Sequence, residues 1–376
     1  MRLAVGIDVH KEKCAACAVY AGHGSMKEKQ IRSLEKFNEE FRRFPSDANG
    51  MKALANRLMD HEAEILIENS TKSHHVFWML TNLGMKVTVA HAADLYRITK
   101  SITKTDDNDA RELAGYMRRK MMGDDIEFSV SHIPDTDTLI SRELCRFVLN
   151  DRSHLTSLKR QIRSHLLIRG IGLFEKYDDV TSVAALNELK KIDDIILRLD
   201  AVKAEEIKKR ILYTEKTMRY RMLSNRMFEI VWSVPGFGIL SASYVTCMID
   251  DIGRFEDGRA FAASMGITPK INESADEGKN CGISRRGDPD LRKLICQATF
   301  VHIFHTDSFI AEKYKRLKAK GKHHNEALVA CANSMARMIF AMIRNDKTYV
   351  SEPNALFEAR HIANSEDIEE LMEKAE

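Results

Sequence analysis

Asp106 and Asp109 stand three apart at what reads as the start of a helix, in Lys104-Thr105-Asp106-Asp107-Asn108-Asp109-Ala110. That spacing turns both carboxylates the same way and sets Asp107 roughly 100° from each. Acids in a first turn also simply favour the helix dipole, so chemistry here requires further carboxylates to converge on the pair. Two are available. Asp8 lies near the end of the apolar run Leu3-Ala4-Val5-Gly6-Ile7, and Glu68 closes Ala63-Glu64-Ile65-Leu66-Ile67. An acid in such a run is costly to bury uncompensated, so Asp8 belongs at a strand end, paired, or beside a cation. Four carboxylates with no lysine or arginine among them repel unless divalent cations neutralise them. Oxygen-only ligands suit magnesium or manganese. Two such ions about 4 Å apart are a device for in-line phosphodiester displacement.

The elements that must position these acids follow from periodicity. Residues 3–9 and 13–20 read as an antiparallel strand pair, Gly22 and Gly24 mark the next turn, and a third strand is expected over 26–34. Short apolar runs at 63–68 and 86–91 read as parallel strands, with helices over 49–61 and 74–83 between them. Three strands, then helix, strand, helix, strand, helix is the ribonuclease-H-like order. It brings Asp8, Glu68, Asp106 and Asp109 to one rim.

From about 139 to 229 glycine and proline are nearly absent apart from Gly170 and Gly172. Leu144, Val148, Leu155, Leu158, Ile162 and Leu166 follow three-four spacing, interrupted by Asp151, and Ile192, Ile196, Leu199, Ile207 and Ile211 resume it. Two long helices are expected, forming an antiparallel or intermolecular coiled coil with a break near 170–185. The outer face, with Arg152, Lys159, Arg160 and Arg163, is the candidate nucleic-acid track. After Trp232, Val234-Pro235-Gly236-Phe237-Gly238 resembles a helix-hairpin-helix turn, which serves either as a structural turn or as a phosphate grip. A polar loop over 270–282 holds Ser274. Arg285 and Arg286 precede a strong helix over 289–304 that carries Arg292; they are a phosphate grip or a solvated turn. The helix expected over 325–344 is rich in small residues and methionine and reads as packed core.

Bulk properties bound the class. A chain of 376 residues is long for one core, and its composition is that of a soluble globular protein. No apolar run of 18 or more residues and no signal peptide is evident, so a cytoplasmic protein without a membrane span is expected. The seven cysteines lack a repeated spacing, and the single Cys14-x-x-Cys17 has no second pair to complete a zinc site, which leaves buried reduced thiols. The net charge of +3 hides a division: residues 351–376 hold two basic and eight acidic side chains, which leaves 1–350 at +9. Within it, 142–169 carries seven Lys/Arg against two acids, and 313–322 carries six against none. Clustered positive charge of this kind suits a phosphate backbone.

Taken together, the chain resembles the DEDD insertion-sequence transposases, a family that includes Piv-type DNA invertases. The resemblance rests on Val5-Gly6-Ile7-Asp8-Val9-His10-Lys11, Glu68-Asn69-Ser70-Thr71 and Lys104-Thr105-Asp106-x-x-Asp109-Ala110. In the second half it rests on Val234-Pro235-Gly236-Phe237-Gly238, Gly266-Ile267-Thr268-Pro269, Gly282-Ile283-Ser284-Arg285-Arg286-Gly287 and Gly321-Lys322. It implies an α/β plus α architecture: a RuvC-like (RNase H-like) DEDD domain over 1–135, a helical coiled-coil and oligomerisation region over 136–229, a mostly α-helical transposase domain over 230–350, and an acidic tail over 351–376. It further implies a recombinase whose serine forms a covalent phosphoserine link to DNA, assisted by two Mg2+ or Mn2+ ions on Asp8, Glu68, Asp106 and Asp109. By position the serine is Ser274, although the family's Ser-Ser-Gly is here Glu273-Ser274-Ala275-Asp276. Lys104, Arg152, Lys159, Arg160, Arg163, Arg285, Arg286 and Arg292 are the expected nucleic-acid contacts. The implied partners are double-stranded DNA of the element ends and target, a non-coding bridge RNA, and further copies in a homo-dimer or tetramer. Use at the nucleoid of a bacterial or archaeal cell is implied as well. The alternatives are a metal-dependent nuclease or Holliday-junction resolvase that uses water and not Ser274, a site-specific invertase, and a binding protein without catalysis.

Overall fold

A computed structural model of the chain describes residues 1–91, 106–124, 129–268 and 287–350, with the backbone alone for Asp106 and Asp107. The chain divides into two compact units, Met1–Ile133 and Pro134–Glu376.

The first unit is built on a sheet of β1 (Arg2–Val9), β2 (Lys13–Tyr20), β3 (Phe44–Pro45), β4 (Glu62–Glu68) and β5 (Lys86–Ala90), in the order β3-β2-β1-β4-β5. β2 pairs antiparallel with β1, while β1, β4 and β5 run parallel. This order is compatible with a ribonuclease-H-like domain. The third strand expected over 26–34 is instead a helix, α1 (Glu28–Glu40), and β3 is only two residues long. Ile31, Leu34 and Phe37 recur every third residue, a helical spacing, and Phe37 is the one buried. Helices α2 (Ala48–Leu58) and α3 (Ser73–Asn82) stand where expected.

Strand alternation sorts the side chains between two faces. Leu3, Val5 and Ile7 join Phe37, Met51, Leu54 and Val76 on one side. Ala4, Leu66 and Ala90 join Leu113 and Met117 of α4 (Asp106–Met122) on the other. Cys14 and Cys17, three apart on β2, fall in cores on opposite faces, which prevents them from chelating one zinc ion.

The second unit is helical. α5 (Thr136–Ile168) and α8 (Ile195–Met222) pack antiparallel within one chain, joined through the short α6 (Leu173–Lys176) and α7 (Val183–Leu189). Leu158, Ile162 and Leu166 meet Leu197, Ala201, Ala204 and Ile207, with Leu173, Leu186 and Leu189 completing that core. Asp151, the interruption in the stripe, is buried and accepts two bonds from Arg210 across the pair, Nε at 3.0 Å and Nη2 at 2.7 Å. Asp200 is likewise buried, 2.7 Å from His165 Nδ1. The expected stripe on α8 is corrected at its start: Ile196 and Leu199 are exposed, and Leu197, Ala201 and Ala204 face the partner helix.

At their other end, Cys145, Val148, Met218 and Met222 enter a second core. It is shared with α9 (Arg226–Trp232), α10 (Ile239–Ile249), α11 (Gly258–Ser264), α12 (Pro289–His305), α13 (Phe309–Ala319) and α14 (His324–Arg344). By length and composition α14 passes the test for a bilayer span, with a mean hydropathy of 1.4. Its Cys331, Met335 and Ile339 are buried in this core, and the helix packs against α9 and α11–α13.

Candidate functional site

Register and parity place the acids. Ile7 is paired with Ile67 across the parallel β1–β4 ladder, so Asp8 and Glu68 occupy the next position on neighbouring strands, about 4.8 Å apart in backbone spacing. Asp8 shares its face with Ala4 and Gly6, and Glu68 shares its face with Leu66, which is the side α4 covers. The helix runs back along β1. A Cβ on Gly6 would stand 2.2 Å from Ala110 O and 2.3 Å from Ala114 N, so only glycine lets the helix backbone lie on the strand here. Ala4, nearer the start of the strand, packs with Leu113, Met117 and Met121. The first turn of α4, with half-buried Asp109 and the backbone of Asp106, therefore lies toward the Asp8 end of β1.

Asp8 is largely shielded, its side chain 16% exposed, and His10 Nε2 lies 3.0 Å from its Oδ2. The donors at this rim are carboxylate oxygens, the type a hard divalent ion takes. Among the described residues no three His, Cys, Asp or Glu side chains are gathered closely enough to hold a metal; the Asp106 side chain is not among them. In donor chemistry the residues fit a divalent ion, while the described side chains alone do not form a closed ligand set.

Next to the acids the surface turns basic. A cavity of about 580 Å³ at the β1–β2 turn is lined by His10, Lys11, Glu12, Lys13, Cys14 and Arg43. Burial pushes the Cys14 thiol up to about 11, so it stays protonated. Lys72, on the residue before α3, donates to Lys11 O at 2.6 Å and to Ser46 Oγ at 2.5 Å, which fixes this turn. The peptide after Glu68 is fixed too: Asn69 N–H donates to Ala90 O at 2.9 Å, and its side chain bonds Ser131 and Ser73. Lys72 and Asn69 were missed as positioning groups, because Lys11, Ser46, Ala90 and Ser131, which reveal them, are distant in sequence.

In the second unit, Ser274, Arg285 and Arg286 lie outside the described residues, as does Lys104 in the first. The two ends of segment 269–286 are described, and they meet. Gly287 has φ +97°, and a Cβ there would stand 2.4 Å from Ser264 O. Arg292 Nη1 is 3.4 Å from Gly266 O, and Asn333 donates to Ile267 O at 3.3 Å. Asp288 accepts from the Asp290 and Leu291 amides at the start of α12, and Tyr244 OH donates to its Oδ2 at 2.9 Å. Arg146 Nη2 lies 3.5 Å from the same oxygen. Tyr244 is fully buried, which pushes its phenol well above the ordinary value. The Asp-Pro helix start was legible in sequence; its partners Tyr244 and Arg146 were not.

Two expected nucleic-acid features are occupied by internal contacts. At the Pro-Gly turn, Gly236 has φ +100° and a Cβ there would stand 2.2 Å from Ala298 O, while Pro235 O lies 3.0 Å from buried His302 Nδ1. This packing on α12 favours the structural reading of that turn. On the α5 track, Arg152 meets Glu215 at 2.5 Å, Lys159 meets Asp179 at 3.1 Å, and Arg163 donates to Asp178 O at 2.6 Å. Arg160 is exposed.

Comparison with known proteins bears on both units. A transposase family model of the DEDD IS110 type matches residues 5–169, and the model of the transposase IS116/IS110/IS902 family matches residues 229–315. The transposase for insertion sequence element IS1111A of Coxiella burnetii is 25% identical over 304 residues, 76% of this chain and 79% of that one. The transposase for insertion sequence element IS1328 of Yersinia enterocolitica is 22% identical, over 74% of this chain and 83% of its own. The pilin gene-inverting protein of Moraxella lacunata is 22% identical over 33% of this chain and 39% of its own.

Proposed function

Because the chain belongs to the IS110-type DEDD transposase family, enzymes that act on DNA, we propose that it cuts and rejoins the DNA strands of an insertion sequence through a serine nucleophile. Ser274 Oγ forms a bond to the scissile phosphorus while the P–O bond to one strand end breaks. The proton given up by the serine is balanced by the one the released strand end takes up as a hydroxyl. A strand-end hydroxyl then attacks the phosphoserine, so the bond is conserved for rejoining and not spent on water. Asp8, Glu68, Asp106 and Asp109 would hold Mg2+ or Mn2+, probed as two ions per site, whose positive charge offsets that of the phosphate under attack. Lys11, Lys13 and Arg43 can hold a neighbouring phosphate of the same strand. Guidance by a non-coding bridge RNA, leaving the protein to grip backbone and shape, is part of the same reading, as is use in the cytoplasm at the nucleoid.

The observation that supports this most is the position of Asp8 and Glu68 side by side on parallel strands, on the face that α4 covers with Asp109 near. The test is a protein–DNA adduct that survives boiling in detergent, formed with element DNA and the RNA transcribed from its flank. It is expected to require Mg2+ or Mn2+ and to vanish in Ser274→Ala. Strand cutting without any adduct would instead make the protein a nuclease that uses water.

A dimer is part of the proposal, and the outer face of α8 supports it. Ile195, Leu199, Val202, Glu206, Lys209, Tyr213, Lys216 and Tyr220 are all exposed and alternate in steps of four and three. That is a heptad seam on the side away from α5. Laid antiparallel on a second copy, it pairs Ile195 with Tyr220, Leu199 with Lys216, Val202 with Tyr213 and Glu206 with Lys209. Every layer then joins an a to a d position, and the central charges are opposite.

A further inference from the structure

A second exposed feature lies where α12, α13 and α14 meet. Phe300 and Phe304, one turn apart on α12, are 44% and 58% exposed with ring centroids 4.8 Å apart. Phe304 contacts Tyr314 at 5.9 Å, Tyr314 contacts His324 at 5.9 Å, and His324 contacts Phe300 at 6.0 Å. Tyr314 OH and His324 Nδ1 are 2.6 Å apart, which fixes the far side of the circuit. Single exposed phenylalanines are ordinary. Four aromatic rings in a closed circuit, two of them open to solvent, are not a scatter.

The surroundings are basic. Lys315, Arg316, Lys318, Lys320 and Lys322 fall within eight residues that contain no acid. Lys318 follows Tyr314 by one helical turn, and Lys315 lies beside Lys318 on the same side of α13. Their internal contacts are loose or leave the charge available: Lys315 and Asp307 are 3.9 Å apart with both side chains highly exposed, and Lys318 donates to Lys322 O at 3.0 Å. Lys322 pairs with Glu326. Lys313 is excluded, since its amine is turned inward onto Ala330 O and Ser334 Oγ.

Phe300 and Phe304 are tilted 53° to one another and so offer two exposed ring faces in different planes; such faces beside cations fit a strand with flat bases and regularly spaced negative charge. We infer that this corner binds unpaired nucleotides of a nucleic-acid strand, with one base stacked on Phe304, its neighbour on Phe300, and the adjoining phosphates held by Lys315 and Lys318. Base–aromatic stacking tolerates any sequence, because every base has a π face. Duplex hides those faces, so the site selects unpaired strands, RNA or DNA. This deepens the recombinase reading and rests on it only for the biological source of the strand.

The test uses the full chain with a fluorescent 12-nucleotide single strand, as DNA and as RNA, and the matching DNA duplex. Phe304→Ala and the double variant Phe300→Ala/Phe304→Ala are expected to lose about tenfold or more in affinity for single strands, with duplex binding unchanged. Phe304→Trp, which keeps a stacking surface, is expected to retain native affinity, and this guards against a fold defect. Lys315→Ala/Lys318→Ala should flatten the salt dependence of single-strand binding. A larger effect on RNA than on DNA, or the reverse, identifies the source. Native single-strand affinity in Phe304→Ala overturns the inference, as does an equal loss on duplex, or a change in sedimentation showing that a second copy covers the rings. The covalent chemistry is separate: Ser274→Ala should bind single strands as the native chain does. A chain that forms no adduct but binds through Phe304 refutes the recombinase proposal and leaves this one standing.

Discussion

A partly buried carboxylate that loses one of its donors loses a charge-assisted bond that water replaces only in part. Asp288 is such a group, its side chain 15% exposed, and it serves two ends at once: it caps α12 and takes the bond from Tyr244. One residue earlier, Gly287 closes onto Ser264 O, so the anchor sits where the segment bearing Ser274 rejoins the core. Tyr244→Phe removes the hydroxyl and nothing else. It is expected to cost about 1.5 kcal/mol, since the acceptor is charged, and to reduce adduct yield several-fold at a temperature where the variant remains folded. Thermal melting and gel-resolved adduct read the two effects; native values for both would deny Asp288 any part in holding the segment. The strand-end positions of Asp8 and Glu68 could be read from sequence because each interrupts or closes an apolar run, and the helix start at Asp106 from the polar, acid-rich residues around it. The Tyr244–Asp288 bond could not, because 44 residues separate partners that only the packing of α10 against α12 brings together.

At the level of elements, the contact of α4 with β1 decides whether the acids of one can approach the acid of the other. Gly6 permits that contact, with helix backbone where a side chain would be. Gly6→Ala is therefore expected to push α4 off the strand at a cost of about 1–3 kcal/mol. Asp109 would move away from Asp8, so adduct formation should fall well beyond the loss of stability. A variant that melts like the native chain and reacts like it would show that the helix does not need to lie this close. Elements of this kind were legible where a short apolar run is buried without interruption, as in β1, β2 and the second halves of β4 and β5. The reading failed where period and residue size mislead. In α1 the three-residue recurrence of Ile31, Leu34 and Phe37 among charges belongs to a helix, where residues 26–34 alone read as a strand. In α8 the buried face is made partly of alanines, Ala201 and Ala204, while the larger Ile196 and Leu199 point outward. An apolar count follows the larger residues and selects the wrong face at Ile196 and Leu199, while Ile207 and Ile211 do join the core. Asp151 interrupted its stripe without breaking the core, because Arg210 on the facing helix meets it with two bonds.

For the whole molecule, the outward leucine and isoleucines of α8 pose the question of what covers them, and charge decides between the arrangements of two copies. A parallel pairing of the seam would set Glu206 against Glu206 and Lys209 against Lys209, and like charges at a core layer disfavour it. The antiparallel pairing sets each glutamate against a lysine about a two-fold axis, the symmetry most homodimers adopt. On either side Val202 meets the ring of Tyr213, and Lys216 lays its methylene stem along Leu199 with its amine free to reach water. Glu206→Lys alone gives four lysines at the centre of the dimer, and Lys209→Glu alone gives four glutamates. Each is expected to shift sedimentation toward monomer, more strongly at low salt than at high salt. The double variant Glu206→Lys/Lys209→Glu restores opposite charges with the sequence order reversed, and should dimerise as the native chain does. Both positions are exposed, so neither substitution endangers the α5–α8 core. Rescue in the double variant is the outcome that a merely destabilised helix cannot imitate. Native association in both single variants would place the subunit contact elsewhere on the molecule.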